Sequence, residues 1–145
     1  RCATRRTSYL SAFVLDASVA ADWLLEDEAD PIAATALGLL KREGAIVPDL
    51  WHFEMRNTLL VAERRGRLAS DEVEERVDAI KTLPVSTDEE PNLDAAFALA
   101  REYGLSFYDA IYLELATRRE VEIATLDAAL VRTAVAEGLS VVGYD

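Results

Sequence analysis

The chain has a single cysteine, Cys2, among 145 residues. That excludes an intramolecular disulfide and removes any pointer to an oxidising compartment. It has a single histidine, His52, set between Trp51 and Phe53, which reads as a surface or half-buried residue rather than a base. With no free serine, histidine and aspartate arrangement, nucleophilic catalysis has little support. No glycine-rich loop is present to cradle phosphates. No apolar run reaches membrane-spanning length, and the stretch after the arginine-bearing first residues is broken by Asp16. Neither a signal peptide nor a membrane span is expected, and a cytoplasmic setting is the default. Basic residues are also short: 15 Lys plus Arg against 27 acids give a net charge of −12. This opposes the footprint of a protein that grips nucleic acid through its phosphates. The sum weighs less where carboxylates gather a divalent cation, whose charge it omits.

What is present is a globular balance, 51% hydrophobic and 29% charged, in a length that suits one buried core. Residues 1–11 are expected to be an N-terminal extension, foreign to the native chain or frayed from it, and residues 12–145 the folded domain. Phe13-Val-Leu-Asp16-Ala-Ser18 reads as a buried parallel strand that ends in an acid and turns into a helix. That helix, 18–25, carries Val19, Trp23 and Leu24, and the acidic run 26–30 after it reads as a solvated loop.

Pro31 opens a second helix with an apolar stripe at Ile32, Ala36, Leu39 and Leu40, stopped by Gly44. A second strand, 45–47, leads to a third helix over about 50–65, with Leu50, Phe53, Leu60 and Val61 among its apolar positions. Ser70 reads as the N-cap of a helix over 71–83, and 84–86 as a third strand. Helices over 92–103 and from Ser106 to about Arg119 precede a fourth strand at 121–125, a helix from Asp127 to near Gly138, and a terminal strand at 140–143. Strands alternating with helices predict an α/β domain with a mostly parallel sheet.

Taken singly, each candidate acid has a structural explanation. Asp16 and Asp127 suit helix caps, Ser106-x-x-Asp109 fits a capping box, and Glu54 suits a solvated helix face. Taken together they carry more. Asp16 and Asp127 both follow strands at one sheet edge, where open parallel sheets form their ligand crevice. Glu54 stands one turn into the helix after the second strand, and Asp109 opens the helix before the fourth. Four carboxylates in close array repel when ionised and call for raised pKa values or a cation between them. Oxygen ligands suit Mg²⁺ or Mn²⁺, and such clusters serve in-line displacement at phosphorus with metals about 3.5–4 Å apart. Ser18 and Thr125 are placed to hydrogen-bond these carboxylates or a bound water, with capping or packing as the structural alternative, and Asn57, three residues from Glu54 on the same face, to orient a ligand or to pack. Arg64, Arg65 and Arg67, with Arg118 and Arg119, read as solvated helix ends, with phosphate contacts as the functional alternative.

This pattern resembles the PIN-domain ribonucleases, and within them the VapC toxins of type II toxin-antitoxin systems. Phe13-Val-Leu-Asp16-Ala-Ser18-Val, Val47-Pro-Asp-Leu-Trp-His-Phe-Glu54-Met-Arg-Asn57, Leu105-Ser-Phe-Tyr108-Asp109-Ala-Ile-Tyr112 and Ala124-Thr125-Leu-Asp127-Ala-Ala-Leu130 are similar to the family's four motifs in order. The resemblance implies a PIN-like α/β domain with a parallel five-stranded sheet, order 3-2-1-4-5, flanked by helices. It implies Asp16, Glu54 and Asp109 as catalytic metal ligands and Asp127 as the fourth acid of the site, binding the metal directly or through water, in front of Ser18, Asn57 and Thr125 as read above. It further implies Mg²⁺- or Mn²⁺-dependent hydrolysis of RNA, a homodimer, and inhibition by a VapB-like antitoxin in a heterotetramer or larger complex. The first two helices, bearing Trp23, suit a groove for such an amphipathic partner, with core packing as the equal alternative for Trp23.

Two rivals stand beside this reading. One is a catalytically silent PIN-like module that binds RNA or protein. The other is a phosphorelay receiver, which lacks its expected acid and lysine: the third strand ends in Ser86-Thr87, and only Tyr144-Asp145 follows the fifth.

Overall fold

A computed structural model describes residues 12–25 and 30–144. The expected N-terminal extension with Cys2, most of the acidic stretch at 26–30 and the final residue lie outside the described residues. The chain folds as β1 (Phe13–Leu15), α1 (Ala17–Leu25), α2 (Pro31–Glu43), β2 (Ala45–Pro48), α3 (Asp49–Arg64), α4 (Ser70–Thr82), β3 (Val85–Asp88), α5 (Leu93–Tyr103), α6 (Phe107–Arg119), β4 (Ile123–Ala124) and α7 (Ala128–Ala136).

The three residues of β1 have no exposed surface, as a strand covered on both faces requires. It pairs in parallel with β2 (Val14 beside Ile46) and with β4 (Leu15 beside Ala124). The sheet order is β3-β2-β1-β4, so the chain builds outward through β2 and β3, then returns to β4 on the other side of β1. That reversal opens a crevice between the carboxyl ends of β1 and β4.

The predicted terminal strand is reduced to one parallel bridge, Ile123 with Val141, leaving four strands among the described residues where five were expected. Two backbone bonds hold it, Ile123 N–H to Ser140 O and Val142 N–H to Ile123 O. Gly143 then adopts φ 87°, outside extended conformation, and turns the chain away. A Cβ there would meet Ile32 Cγ1 at 3.1 Å, so glycine serves both the turn and the close approach. The fourth strand is also shorter than expected. Glu120 closes α6 in the left-handed region at φ 57°, and Val121 N–H bonds back to Ala116 O, so Val121 completes a helix end instead of a ladder.

One local expectation is corrected. Helix α4 begins one residue early: Ala69 holds the cap position and the Glu72 carboxylate accepts its N–H at 2.8 Å, leaving Ser70 as the first helical residue. On α3 the buried positions are Trp51, Met55, Leu59 and Ala62, whereas Phe53 and Leu60 are 70% and 41% exposed. Apolar residues occupy two faces of this helix, and composition alone does not say which faces the sheet.

Other signals hold. Asp30 Oδ1 accepts the Ile32 N–H ahead of Pro31, Asn92 Oδ1 accepts from Ala95, and Ser106 Oγ accepts from Asp109. Trp23 is half-buried and donates its indole N–H to Ala33 O at 2.7 Å, tying α1 to α2.

Candidate metal centre

Asp16 leaves β1 at the switch point and is 7% exposed. Its Oδ2 accepts two hydroxyl bonds of 2.6 Å each, from Ser18 and from Thr125. Both hydroxyls also accept: Ser18 Oγ takes the Leu126 N–H and Thr125 Oγ1 takes the Asp127 N–H, at 3.0 Å each. The acid after β1 is thereby joined to the segment after β4, using the neighbouring strand ends. Burial pushes the Asp16 carboxyl above its ordinary range, the two hydroxyls hold it back, and the charge of Asp127 adds to the rise.

Glu54 stands on α3, half-buried, and its Oε1 accepts the Tyr112 hydroxyl at 2.6 Å. Its carboxyl is raised by burial, opposed by the tyrosine bond, and raised again by the charges of Asp16 and Asp109. Asp109 sits in the first turn of α6, where an acid suits the helix dipole. It too is raised, by burial first and then by Asp127 and Asp16. Asp127 caps α7, its Oδ1 accepting the Leu130 N–H at 3.0 Å.

The structure therefore brings Asp16, Glu54, Asp109 and Asp127 into one electrostatic neighbourhood, with Ser18 and Thr125 behind Asp16. Among the described residues, no three of these carboxylates are gathered closely enough to close on an ion as they stand. The donor set nevertheless fits a hard divalent cation, being all oxygen, acidic, partly buried and mutually repelling. Asn57 is exposed, one turn beyond Glu54 on α3, and no hydrogen bond joins it to the four acids.

Tyr112 is the functional candidate that sequence reasoning passed over. It is 1% exposed on α6. Burial raises its hydroxyl pKa, the charge of Asp16 and the Glu54 bond raise it further, and it stays protonated.

Two further groups that the sequence singles out are engaged within the fold. Arg118 reaches Asp88 through two bonds of 2.8 and 3.1 Å and Glu114 through bonds of 2.7 and 3.1 Å, and Arg119 joins Asp88 at 3.2 Å. This arginine pair is committed to carboxylates, contrary to the expectation of a solvated helix end. His52 shares a 2.8 Å hydrogen bond with Thr87, and burial lowers its pKa, in keeping with a packing role.

Residues 13–136 match the PIN domain family. The chain is 35% identical over 121 residues to Ribonuclease VapC3 of Pyrobaculum aerophilum, an alignment that covers 81% of this chain and 90% of that protein. It is also similar to the crystal structure of PAE2754 from Pyrobaculum aerophilum, with a TM-score of 0.69 and 25% identity over 92% of this chain and 90% of that one. No helix among the described residues is long and apolar enough to cross a membrane.

Proposed function

The chain belongs to the PIN-domain family, and from that premise we propose that it is the ribonuclease toxin of a type II toxin-antitoxin pair, cleaving RNA with a divalent cation, Mg²⁺ or Mn²⁺. One observation supports this above the rest: Asp16, Glu54 and Asp109 come from three different elements, and the charge of another of the four acids raises each of their pKa values. Such an arrangement is costly in a metal-free protein.

In this reading Asp16, Glu54 and Asp109 hold the cation and Asp127 completes its acidic surroundings. The cation, when bound, supplies Lewis acidity toward water and the phosphodiester and offsets their negative charge. The protein's own groups fix the geometry. Ser18 and Thr125 hold Asp16 through one oxygen, which spares that carboxylate the cost of ordering at each encounter. The strongly acidic surface repels free RNA, so productive approach is confined to the point where the cation reverses the local field.

The partners follow the same reading. A VapB-like antitoxin would cover the α1–α2 side and reach toward the acids. A second copy of the chain would cover the apolar surface at Phe53 and Tyr108, which are 70% and 61% exposed. These two residues line a shallow apolar cavity of about 310 Å³ together with Pro48, Leu50, Pro91, Phe107 and Ile111. Light scattering should give a dimer for the protein and a monomer for Phe53→Asp; a monomeric parent would remove the homodimer.

The deciding experiment is cleavage of a mixed RNA pool by antitoxin-free protein, with and without Mg²⁺ or Mn²⁺, beside Asp16→Asn. Cation-dependent cutting that the variant loses supports the ribonuclease. Folded protein that cuts under neither cation is a binding module instead.

A further inference from the structure

Resting on the reading of the acids as a cation site, we propose that Tyr112 is a positioning residue of that site, its hydroxyl fixing where Glu54 stands relative to Asp16 and Asp109. The two partners of the 2.6 Å bond differ in freedom. Tyr112 is 1% exposed and packed within the main core, so its ring has no room to swing. Glu54 is half-buried on α3, and its flexible side chain is free to turn toward solvent unless something holds it. The hydroxyl donates to a carboxylate, the stronger class of hydrogen bond.

The tyrosine's place on its helix gives the bond its consequence. Tyr112 and Asp109 are three residues apart on α6 and share a face. A bond from Tyr112 to Glu54 therefore ties the α3 carboxylate to the helix that presents Asp109. Asp16 is close enough for its charge to act on the same hydroxyl, which places a neutral donor among acids that otherwise repel. Without it, Glu54 relieves its repulsion by turning away from Asp16 and Asp109, and the cation loses a ligand held in advance. With it, one oxygen of Glu54 is fixed and the carboxylate keeps its orientation.

The test is Mn²⁺ binding by calorimetry to antitoxin-free parent, Tyr112→Phe, Glu54→Ala and the double variant, with thermal melts of each metal-free protein. Tyr112→Phe removes one oxygen and no packing, so its melting temperature should stay near the parent's. Its Mn²⁺ affinity should fall about tenfold or more, the usual scale for groups that orient metal ligands. In the Glu54→Ala background the same change should have no further effect, because the group it positions is gone. Tyr112→Phe binding Mn²⁺ as the parent does overturns the proposal. Equal losses in both backgrounds overturn it too, by showing that the tyrosine acts through packing. Folded parent that binds no Mn²⁺ removes the cation site and this inference together, whereas binding unchanged by Tyr112→Phe leaves the site standing.

Discussion

Asp16 is the most tightly held of the four acids, with two hydroxyl donors on one oxygen and almost no exposed surface. Its neutral isostere separates chemistry from folding. Asp16→Asn keeps an acceptor for Ser18 and Thr125 and removes a buried charge, so the metal-free variant should melt at or above the parent temperature at neutral pH. RNA cleavage should fall by at least about a hundredfold, since even groups that only orient a metal ligand are worth up to about that much. A variant that cuts RNA like the parent would take Asp16 out of the mechanism. Thr125→Val tests the supporting layer. It preserves the volume of a fully buried residue but strips a donor from Asp16 and an acceptor from the Asp127 N–H. Denaturant unfolding should show a loss of about 1–3 kcal/mol, the scale for a buried polar group left unpaired. Glu54 was legible in the sequence because it lies one turn into the helix after the second strand, and Asp16, Asp109 and Asp127 because each stands at the end of a strand or the start of a helix. Ser18 and Thr125 were legible for the same reason. Tyr112 was not, because a tyrosine at helical spacing among Ile111, Leu113 and Leu115 reads as core. It is core and site at once, and the only signal available was its spacing of three from Asp109.

Among the elements, α6 carries the largest share of the design, with Asp109 and Tyr112 toward its start and Glu114 and Arg118 toward its end. Its far end is pinned to β3 by the ion pairs of Asp88 with Arg118 and Arg119, and the Arg118 bonds hold the Asp88 carboxyl below its ordinary range. Asp88 is 6% exposed, while the two arginine side chains are 34% and 47% exposed. Removing one partner of a fully buried pair costs about 3–5 kcal/mol. With half the network in contact with water, Asp88→Ala should cost less, about 1–3 kcal/mol in urea unfolding. A change within error would make the network ornamental and leave α6 held by packing alone. Sequence patterning placed this helix well, since Ser106 caps it and its basic last turn closes it. It did not show what the basic turn binds, because Asp88 lies 30 residues away and only the β2–β3 pairing brings it near. The same limit explains the terminal strand. Residues 140–143 have strand composition, but Gly143 turns at φ 87° where a Cβ would meet Ile32 of α2 at 3.1 Å, a close approach of residues far apart in the sequence.

Across the whole molecule the sequence legibly gave an acidic α/β domain, and the structure adds where that acidity is costly. In the metal-free protein Asp16, Glu54 and Asp109 bind protons more tightly than ordinary carboxyls do. Folding at neutral pH therefore carries an electrostatic penalty that protonation relieves. Stability should rise as pH falls from neutral through these raised values, and the gain is complete near pH about 4, where the unfolded chain's carboxyls also protonate. Asp88 acts with the opposite sign: its native pKa lies below the ordinary value, so its contribution is present above about pH 4 and is lost as pH falls through the depressed value. Melting temperature against pH should thus peak on the acid side of neutral. General repulsion from a net charge of −12 also relaxes on acidification, but salt screens it, whereas a partly buried cluster is screened far less. The peak should accordingly persist at raised ionic strength and weaken in Asp16→Asn. Mg²⁺ or Mn²⁺ binds the native acids in their charged form, so it should stabilise most at neutral pH and shift the peak toward neutrality. A metal-free profile that is flat between neutral pH and about 5 would mean that the four carboxylates do not repel one another across the crevice, and the case for a cation site would lose its physical basis.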